Sequence, residues 1–390
     1  MYREYKGSEP GLFFIQKNIY NNKIHSEEVK NMANKVVLVS GPSGCRIYEK
    51  LIEVKKFGES MNEKVHLIRI FDEMRKIEPK LDERTILNYP ADRLQNLRYE
   101  AISRIKDKIH SEEGLFLVRT PVIFYWSGNI IYGLSYSDVE VLDPDLFLVI
   151  IEDVMRVKYI MKKDPQWKIQ SFSLRELVFW RADEIARTQE FARWRRKDFY
   201  IIPREHSVEV IYDIIMNREY KKVIYTSFPI SGVPPNKLEM LLKAKNNFIK
   251  KISSKYIVLD PYTIKEGILS FKLEEALKNN LNEIVFQTKY SDGIQHFVFG
   301  VNEVNDAIEA IERQIVERDL NMVESADIIV FFNPIGVLSP GAACEMMHGY
   351  RLGKRVYMLW GGESRPSPFY TANCHKIFRE EERLVEYLMK

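Results

Sequence analysis

From Lys35 onward the chain repeats one pattern: a short apolar run, a cluster of turn formers, then a longer stretch with apolar residues at helical spacing. Val36-Val37-Leu38-Val39 leads into Ser40-Gly41-Pro42-Ser43-Gly44 and a helical segment holding Leu51 and Ile52. Further apolar runs lie at Val65–Ile70, Leu115–Val118, Leu146–Ile151 and Phe199–Ile202, separated by helical patterns at Leu94–Ile109 and Leu174–Trp194. The cycle restarts at Lys221, where Val223-Ile224-Tyr225 precedes Ser227-Phe228-Pro229-Ile230-Ser231-Gly232 and a helical run from Leu238 to Ile252. Tyr256–Leu259, a helix over Val304–Val323, a strand over Asp327–Phe332, a helix around Ala342–Leu352 and a strand at Val356–Trp360 complete the second set.

Strands that alternate with helices imply a mostly parallel sheet covered on both faces, and two starts imply two such units. The expected fold class is therefore α/β, with two three-layer domains. The boundary falls near 216–222, giving an extension over 1–34, a first domain over 35–220 and a second over 221–390. Residues 262–300 are less regular and read as an inserted loop or hairpin. No fixed-period repeat is present.

Composition narrows the class. The chain of 390 residues is 45% hydrophobic and 29% charged, enough to bury sizeable cores. A formal net charge of +3 gives no basis for a nucleic-acid or membrane footprint across the surface. The basic run Arg193-Trp194-Arg195-Arg196-Lys197 reads as a solvated helix end. Cys45, Cys344 and Cys374 are odd in number and lack CxxC spacing, so neither a disulfide framework nor a zinc site is expected; reduced thiols suit the cytoplasm. No apolar run approaches the ~18 residues of a membrane span, and the N-terminus has no signal-peptide pattern.

Gly41-Pro42-Ser43-Gly44 after a hydrophobic strand is how a phosphate-cradling P-loop begins. The continuation breaks it. Arg46 stands at the last glycine of the motif, while Ile47 and Tyr48 replace the lysine that grips phosphate and the hydroxyl that holds Mg²⁺. Beyond the loop, Asp72-Glu73-Met74-Arg75, the helix Leu94–Ile109, the strand Leu115–Thr120 ending at Pro121, Leu142-Asp143-Pro144-Asp145 and the helix from Leu174 through Gln189 resemble an archaeal-type adenylate kinase or related P-loop nucleotide kinase. The resemblance spans about 35–216 and implies a degenerate kinase fold without phosphoryl transfer; Arg46 is too bulky for a position of close backbone approach.

Four segments of residues 221–390 together resemble the nucleoside 2-deoxyribosyltransferase and nucleotide N-glycosidase superfamily. They are Val223 through Gly232, Arg318-Asp319 followed by Val323 through Val330, Ser339-Pro340-Gly341-Ala342-Ala343-Cys344-Glu345 followed by Gly349 through Val356, and Ser367-Pro368-Phe369. Cleaving an N-glycosidic bond builds positive charge on the sugar, which a carboxylate at the anomeric carbon can stabilise or trap as an ester. The resemblance assigns that role to Glu345, an acid/base or sugar-orienting role to Asp319, and orientation of the carboxylate to Tyr225. Glu345 is expected in the first turn of its helix, entered from a Gly341 turn, where the helix dipole keeps a carboxylate ionised.

Phe228, in place of a usual glycine, is expected to narrow the pocket. His348, one turn after Glu345, is a bystander candidate for the same cleft, and Asp327 reads as a structural cap. Ser339 departs from the aspartate of nucleoside-specific relatives; a hydroxyl donates to phosphate where a carboxylate repels it, which points to a nucleoside 5′-monophosphate. Ser231, Gly232 and Gly341 are candidate contributors to the same anion site. The expected ligand is a small nucleotide or nucleoside, with no cofactor or metal. The resemblance also implies a homo-oligomer, because active sites in the superfamily borrow residues from a neighbouring subunit, here near Phe369 and Tyr370. Two rival readings are a nucleotide sensor without turnover and a nucleotide kinase with an appended module.

Overall fold

The structure is a computed structural model that describes residues 34–230, 233 and 235–390. All but the last residue of the expected 1–34 extension lies outside the described residues. The first half runs β1 (Lys35–Ser40), α1 (Ile47–Ser60), β2 (Val65–Arg69), α2 (Ile70–Ile77), α3 (Ala91–Ser111), β3 (Leu115–Arg119), β4 (Ile123–Trp126), β5 (Asn129–Tyr132), α4 (Tyr136–Leu142), β6 (Leu146–Ile151), α5 (Val154–Met161), α6 (Leu174–Arg195), β7 (Asp198–Pro203) and α7 (Val208–Met216). The second half runs β8 (Val223–Ser227), α8 (Pro235–Ile252), β9 (Ile257–Leu259), α9 (Ile268–Lys278), β10 (Glu283–Tyr290), β11 (Gly293–Gly300), α10 (Val301–Ser325), β12 (Ile328–Asn333), α11 (Pro340–Arg351), β13 (Arg355–Trp360), α12 (Pro368–Thr371), β14 (Lys376–Phe378) and α13 (Glu381–Met389).

Two parallel sheets result, in the order β2-β3-β1-β6-β7 and β14-β13-β12-β8-β9. The mixed α/β class expected from the pattern is observed. Strands β6 and β12, each apolar almost throughout, are buried along their whole length, as strands with neighbours on both edges and helices on both faces must be. In the irregular stretch 262–300 the chain forms α9 and the antiparallel hairpin β10–β11. Its first strand buries Ile284, Phe286, Thr288 and Tyr290 on one face in strict alternation. Among the described residues, no helix is long and apolar enough to cross a membrane.

The halves meet where α6 lies along α10. Arg175 pairs with Asp306 at 2.9 Å, Arg181 Nε donates to Gln314 at 2.8 Å, and Gln189 reaches Asn321 at 3.2 Å. Deeper in, both Arg181 terminal nitrogens hold Glu266 at 2.8 and 2.7 Å, with that carboxylate fully buried. Despite burial, which acts the other way, the Arg181 and Arg318 guanidiniums hold the Glu266 pKa below the usual carboxylate value.

Within the second sheet, β8 pairs with β12 on one side and β9 on the other, with Ile329 opposite Tyr225 and Phe331 opposite Ser227. Chain order reverses between β8 and β12, which opens a crevice at their carboxyl ends. Loops after β8 and β12 therefore converge on one place.

Replacing Arg181 with Leu would strand the buried Glu266 carboxylate, and breaking such a pair from one side costs about 3–5 kcal/mol. Chemical denaturation should show a loss of that size, and a loss under ~1 kcal/mol would show that the pair does not hold the halves together.

Candidate active site

Glu345 sits on α11 with its side chain turned into the crevice between β8 and β12. Ser227, at the carboxyl end of β8, donates its hydroxyl to Glu345 Oε2. Ser227 shares a strand face with Tyr225, and both are buried. The Tyr225 hydroxyl has no hydrogen bond of ordinary geometry among the described residues. Burial first, and then the neighbouring Glu345 and Asp319 carboxylates, push its pKa well above the usual phenol value. The residue expected to orient Glu345 thus stands against the carboxylate, its hydroxyl in loose contact with it, while the short hydrogen bond comes from Ser227.

Asp319 projects from α10 and is gripped by Arg318, with Nε to Oδ1 at 2.9 Å. Burial raises the Asp319 pKa against the pull of Arg318. The Asp319 charge acts in turn on Glu345, whose pKa is pushed up to about 7 by burial and then by that neighbouring carboxylate, with Ser227 pulling the other way. This corrects the expectation of a first-turn carboxylate kept ionised by the helix dipole. The helix begins at Pro340, so Glu345 lies in its second turn, beyond the reach of most of the dipole.

Ser339 is the N-cap of α11: its hydroxyl accepts the Ala342 N–H at 3.3 Å, and the residue is 4% exposed. Tyr370, from α12, locks it from the other side by accepting the Ser339 N–H at 2.7 Å and donating to the Ser339 carbonyl at 3.0 Å. The loop leading there is folded by Asn333, whose side chain brackets Val337 at 2.7 and 3.2 Å. At Gly336 the backbone has φ +66, and an added Cβ would lie 2.3 Å from Gly362 Cα, so only glycine fits. Gly341 is exposed with open space around it. Phe228 is buried edge-on against Tyr262, with the Lys245 ammonium 4.6 Å from its ring centre; Lys245 itself is buried and paired with Asp260. Ser231 and Gly232 lie outside the described residues.

Other expected residues have structural partners. His348 pairs with Glu324 at 3.1 Å. Asp327 accepts the Val223 N–H at 2.7 Å and Arg218 at 2.9 Å. Phe369 is 77% exposed beside the buried Tyr370.

The first-half loop is held by other means. Gly41 lies against β6, where an added Cβ would be 2.2 Å from the Ile150 carbonyl oxygen. Its N–H donates to Glu184 at 2.9 Å, and the same carboxylate accepts from Val122 and Ile123 at 2.8 and 2.9 Å. Burial raises the Glu184 pKa to about 7 even so. Ser43 is buried, Gly44 has φ +85, and Arg46 is left-handed at the N-cap of α1, with its half-exposed guanidinium 4.0 Å from Asp292. Ile47, where a phosphate-binding lysine would stand, is 1% exposed and packs in the core.

No protein-family model matches the chain, and no curated protein matches its sequence. A 2-deoxyribosyltransferase from the psychrotolerant bacterium Bacillus psychrosaccharolyticus aligns over 42% of this chain and 91% of its own, at 19% identity and a TM-score of 0.26. A structure from the PezAT chromosomal toxin–antitoxin system of Streptococcus pneumoniae aligns over 63% of this chain and 98% of its own, at 10% identity and a TM-score of 0.30. At these scores neither likeness bears on what this chain does.

A carbon-13 NMR titration of the glutamate carboxyls, with Glu345→Gln to assign the resonance, should find Glu345 titrating at about 7. A hydrogen bond to a charged group contributes ~1.5–3 kcal/mol, so Ser227→Ala should raise that value by about one to two units, and Asp319→Asn should lower it. A Glu345 that titrates with the exposed glutamates contradicts the site as described.

Proposed function

We propose that the chain cleaves the N-glycosidic bond of nucleoside 5′-monophosphates, with Glu345 as nucleophile, in a domain spanning 221–390. In this reading 35–220 is a separate domain that does not transfer phosphoryl groups. The observation that carries the reading is the grouping of Glu345, Ser227, Tyr225 and Asp319 at the switch point of the second sheet.

The chemistry follows from the charges. With a pKa of about 7, Glu345 is partly ionised at neutral pH in the empty site. Positive charge growing on the sugar favours the ionised form, so the carboxylate gains strength as the bond to the base breaks. Its oxygen bonds to the anomeric carbon while the base leaves with the bonding electron pair and takes up a proton. Glu345 and Asp319 titrate as a coupled pair, and in the reactive form the proton that the pair holds lies on Asp319, which supplies it to the base while Glu345 is ionised. Water then attacks the glycosyl ester, Asp319 accepts a proton from that water, and Glu345 is released as a carboxylate. Ser227 holds the attacking oxygen's partner throughout, and Tyr225 lies against the same carboxylate.

The 5′-phosphate is assigned to the N-terminus of α11. The Ser339 hydroxyl accepts from Ala342 and retains its own proton to donate, while Gly341 leaves room for an approaching anion.

Glu345→Gln should reduce base release on the order of 10³-fold or more while the melting temperature holds, because a neutral amide replaces a carboxyl that burial already disfavours as an anion. Full hydrolysis by this variant rules out Glu345 as nucleophile.

Ser339→Asp keeps a good helix cap but sets a carboxylate against the phosphate. Losing a charge-assisted hydrogen bond should lower kcat/KM for a monophosphate by roughly 10- to 100-fold and leave the matching nucleoside nearly unchanged. Equal changes for both substrates would reduce Ser339 to a cap.

A further inference from the structure

Arg181, on α6 of the first half, directs all three guanidinium nitrogens at the second. Nη1 and Nη2 hold the two Glu266 oxygens at 2.8 and 2.7 Å, and Nε donates to Gln314 at 2.8 Å. Gln314 stands one turn before Arg318 on α10, so Arg181 braces the helix face that carries Arg318. Arg318 in turn gives Nε and Nη2 to Asp319, at 2.9 and 2.8 Å. Its Nη1 is buried and makes no hydrogen bond among the described residues. That nitrogen lies 3.8 Å from the Glu266 oxygen that Arg181 Nη2 already holds.

The two guanidiniums and the carboxylates of Glu266, Asp319 and Glu345 balance in charge when the Asp319–Glu345 pair keeps one proton. Other titratable groups face this cluster. Asp153 lies against Glu266, Asp260 acts on Asp319 while itself bonded to Lys245, and Tyr225 lies against Glu345.

We infer that Arg181 and Glu266 are positioning residues for the proposed base release: by fixing how much of Arg318 goes to Asp319, they set the proton that the Asp319–Glu345 pair keeps. The inference rests on the N-glycosidase reading of the second-half site. With Arg181 in place, Glu266 is satisfied and Arg318 stays with Asp319. Without Arg181, the Glu266 oxygen draws Arg318 Nη1 across the 3.8 Å gap, and the pair keeps its proton to higher pH. Without the Glu266 charge, Arg318 serves Asp319 alone, and the pair gives up its proton at lower pH. The two changes act in opposite directions, which a loss of packing between the halves does not.

The test is the pH dependence of kcat/KM for base release from a nucleoside 5′-monophosphate by the full chain, together with a carbon-13 NMR titration of its carboxyls. The reactive form carries one proton on the pair, so activity falls above the pair's upper titration step. Glu266→Gln should move that fall down by about one pH unit and Arg181→Met should move it up, with the Asp319 and Glu345 resonances titrating to match. If Arg181→Met does not fold, Arg181→Lys, which keeps the charge but cannot hold both oxygens in a planar fork, should still move the fall up. Shifts of the same sign, or a wild-type profile in Glu266→Gln, overturn the inference. The NMR arm separates it from the N-glycosidase reading. Carboxyls that shift in opposite directions without any base release sink that reading and leave the proton coupling standing, whereas base release with unmoved carboxyls does the reverse.

Discussion

The buried contact between Arg181 and Glu266 is the constraint on which the site depends. Arg181 comes from the long helix of the first half and Glu266 from the segment entering α9 of the second, and the pair is bidentate and closed to solvent. Glu266 also lies 3.8 Å from Arg318, the residue that grips Asp319. A single line of alternating charges therefore runs from the first half to the acid that tunes Glu345. Moving Glu266 would change the share of Arg318 available to Asp319, and with it the proton balance of the carboxylate pair. The two halves are electrostatically one structure at this point, although each sheet is complete in itself.

Both sheets open a crevice at the carboxyl ends of their strands, and the chain has treated the two crevices differently. In the second, donors and acids converge: a serine hydroxyl, a tyrosine hydroxyl and two carboxyls surround one position, and burial brings Glu345 to a pKa of about 7. In the first, an internal carboxylate from α6 satisfies the N–H groups of Gly41, Val122 and Ile123. A loop with Ile47 and Tyr48 at the places of the motif's lysine and metal-binding hydroxyl is thereby fixed as scaffold.

Much of the fold was legible because its central strands are buried on both faces and so must be continuous apolar runs, as at Leu146–Ile151 and Ile328–Phe332. The stretch 262–300 was obscure because β10 places Thr288 among its inward residues and Val285 among its outward ones, which blurs the alternation. Glu345, Asp319 and Tyr225 were named from sequence, and the structure brings them together. The sequence pattern alone suggests a helix around Ala342–Leu352, but Pro340 after Ser339 is a strong first-turn signal that places Glu345 beyond the dipole. Ser227 was within reach, since it shares a strand face with Tyr225. Glu184 was not, because a charge inside an otherwise ordinary helix reveals its role only through partners far away in the chain, here Gly41, Val122 and Ile123.

The central claim is covalent: a bond forms between Glu345 and the anomeric carbon of a nucleotide. A nucleoside 5′-monophosphate with fluorine at the sugar 2-position slows release of the sugar, so intact-protein mass spectrometry after brief mixing reads the intermediate directly. We predict a mass increase equal to the sugar phosphate, mapped by peptide digestion to Glu345 and absent from Glu345→Gln. Release of free base with an adduct on another residue, or with no adduct at all, would contradict it.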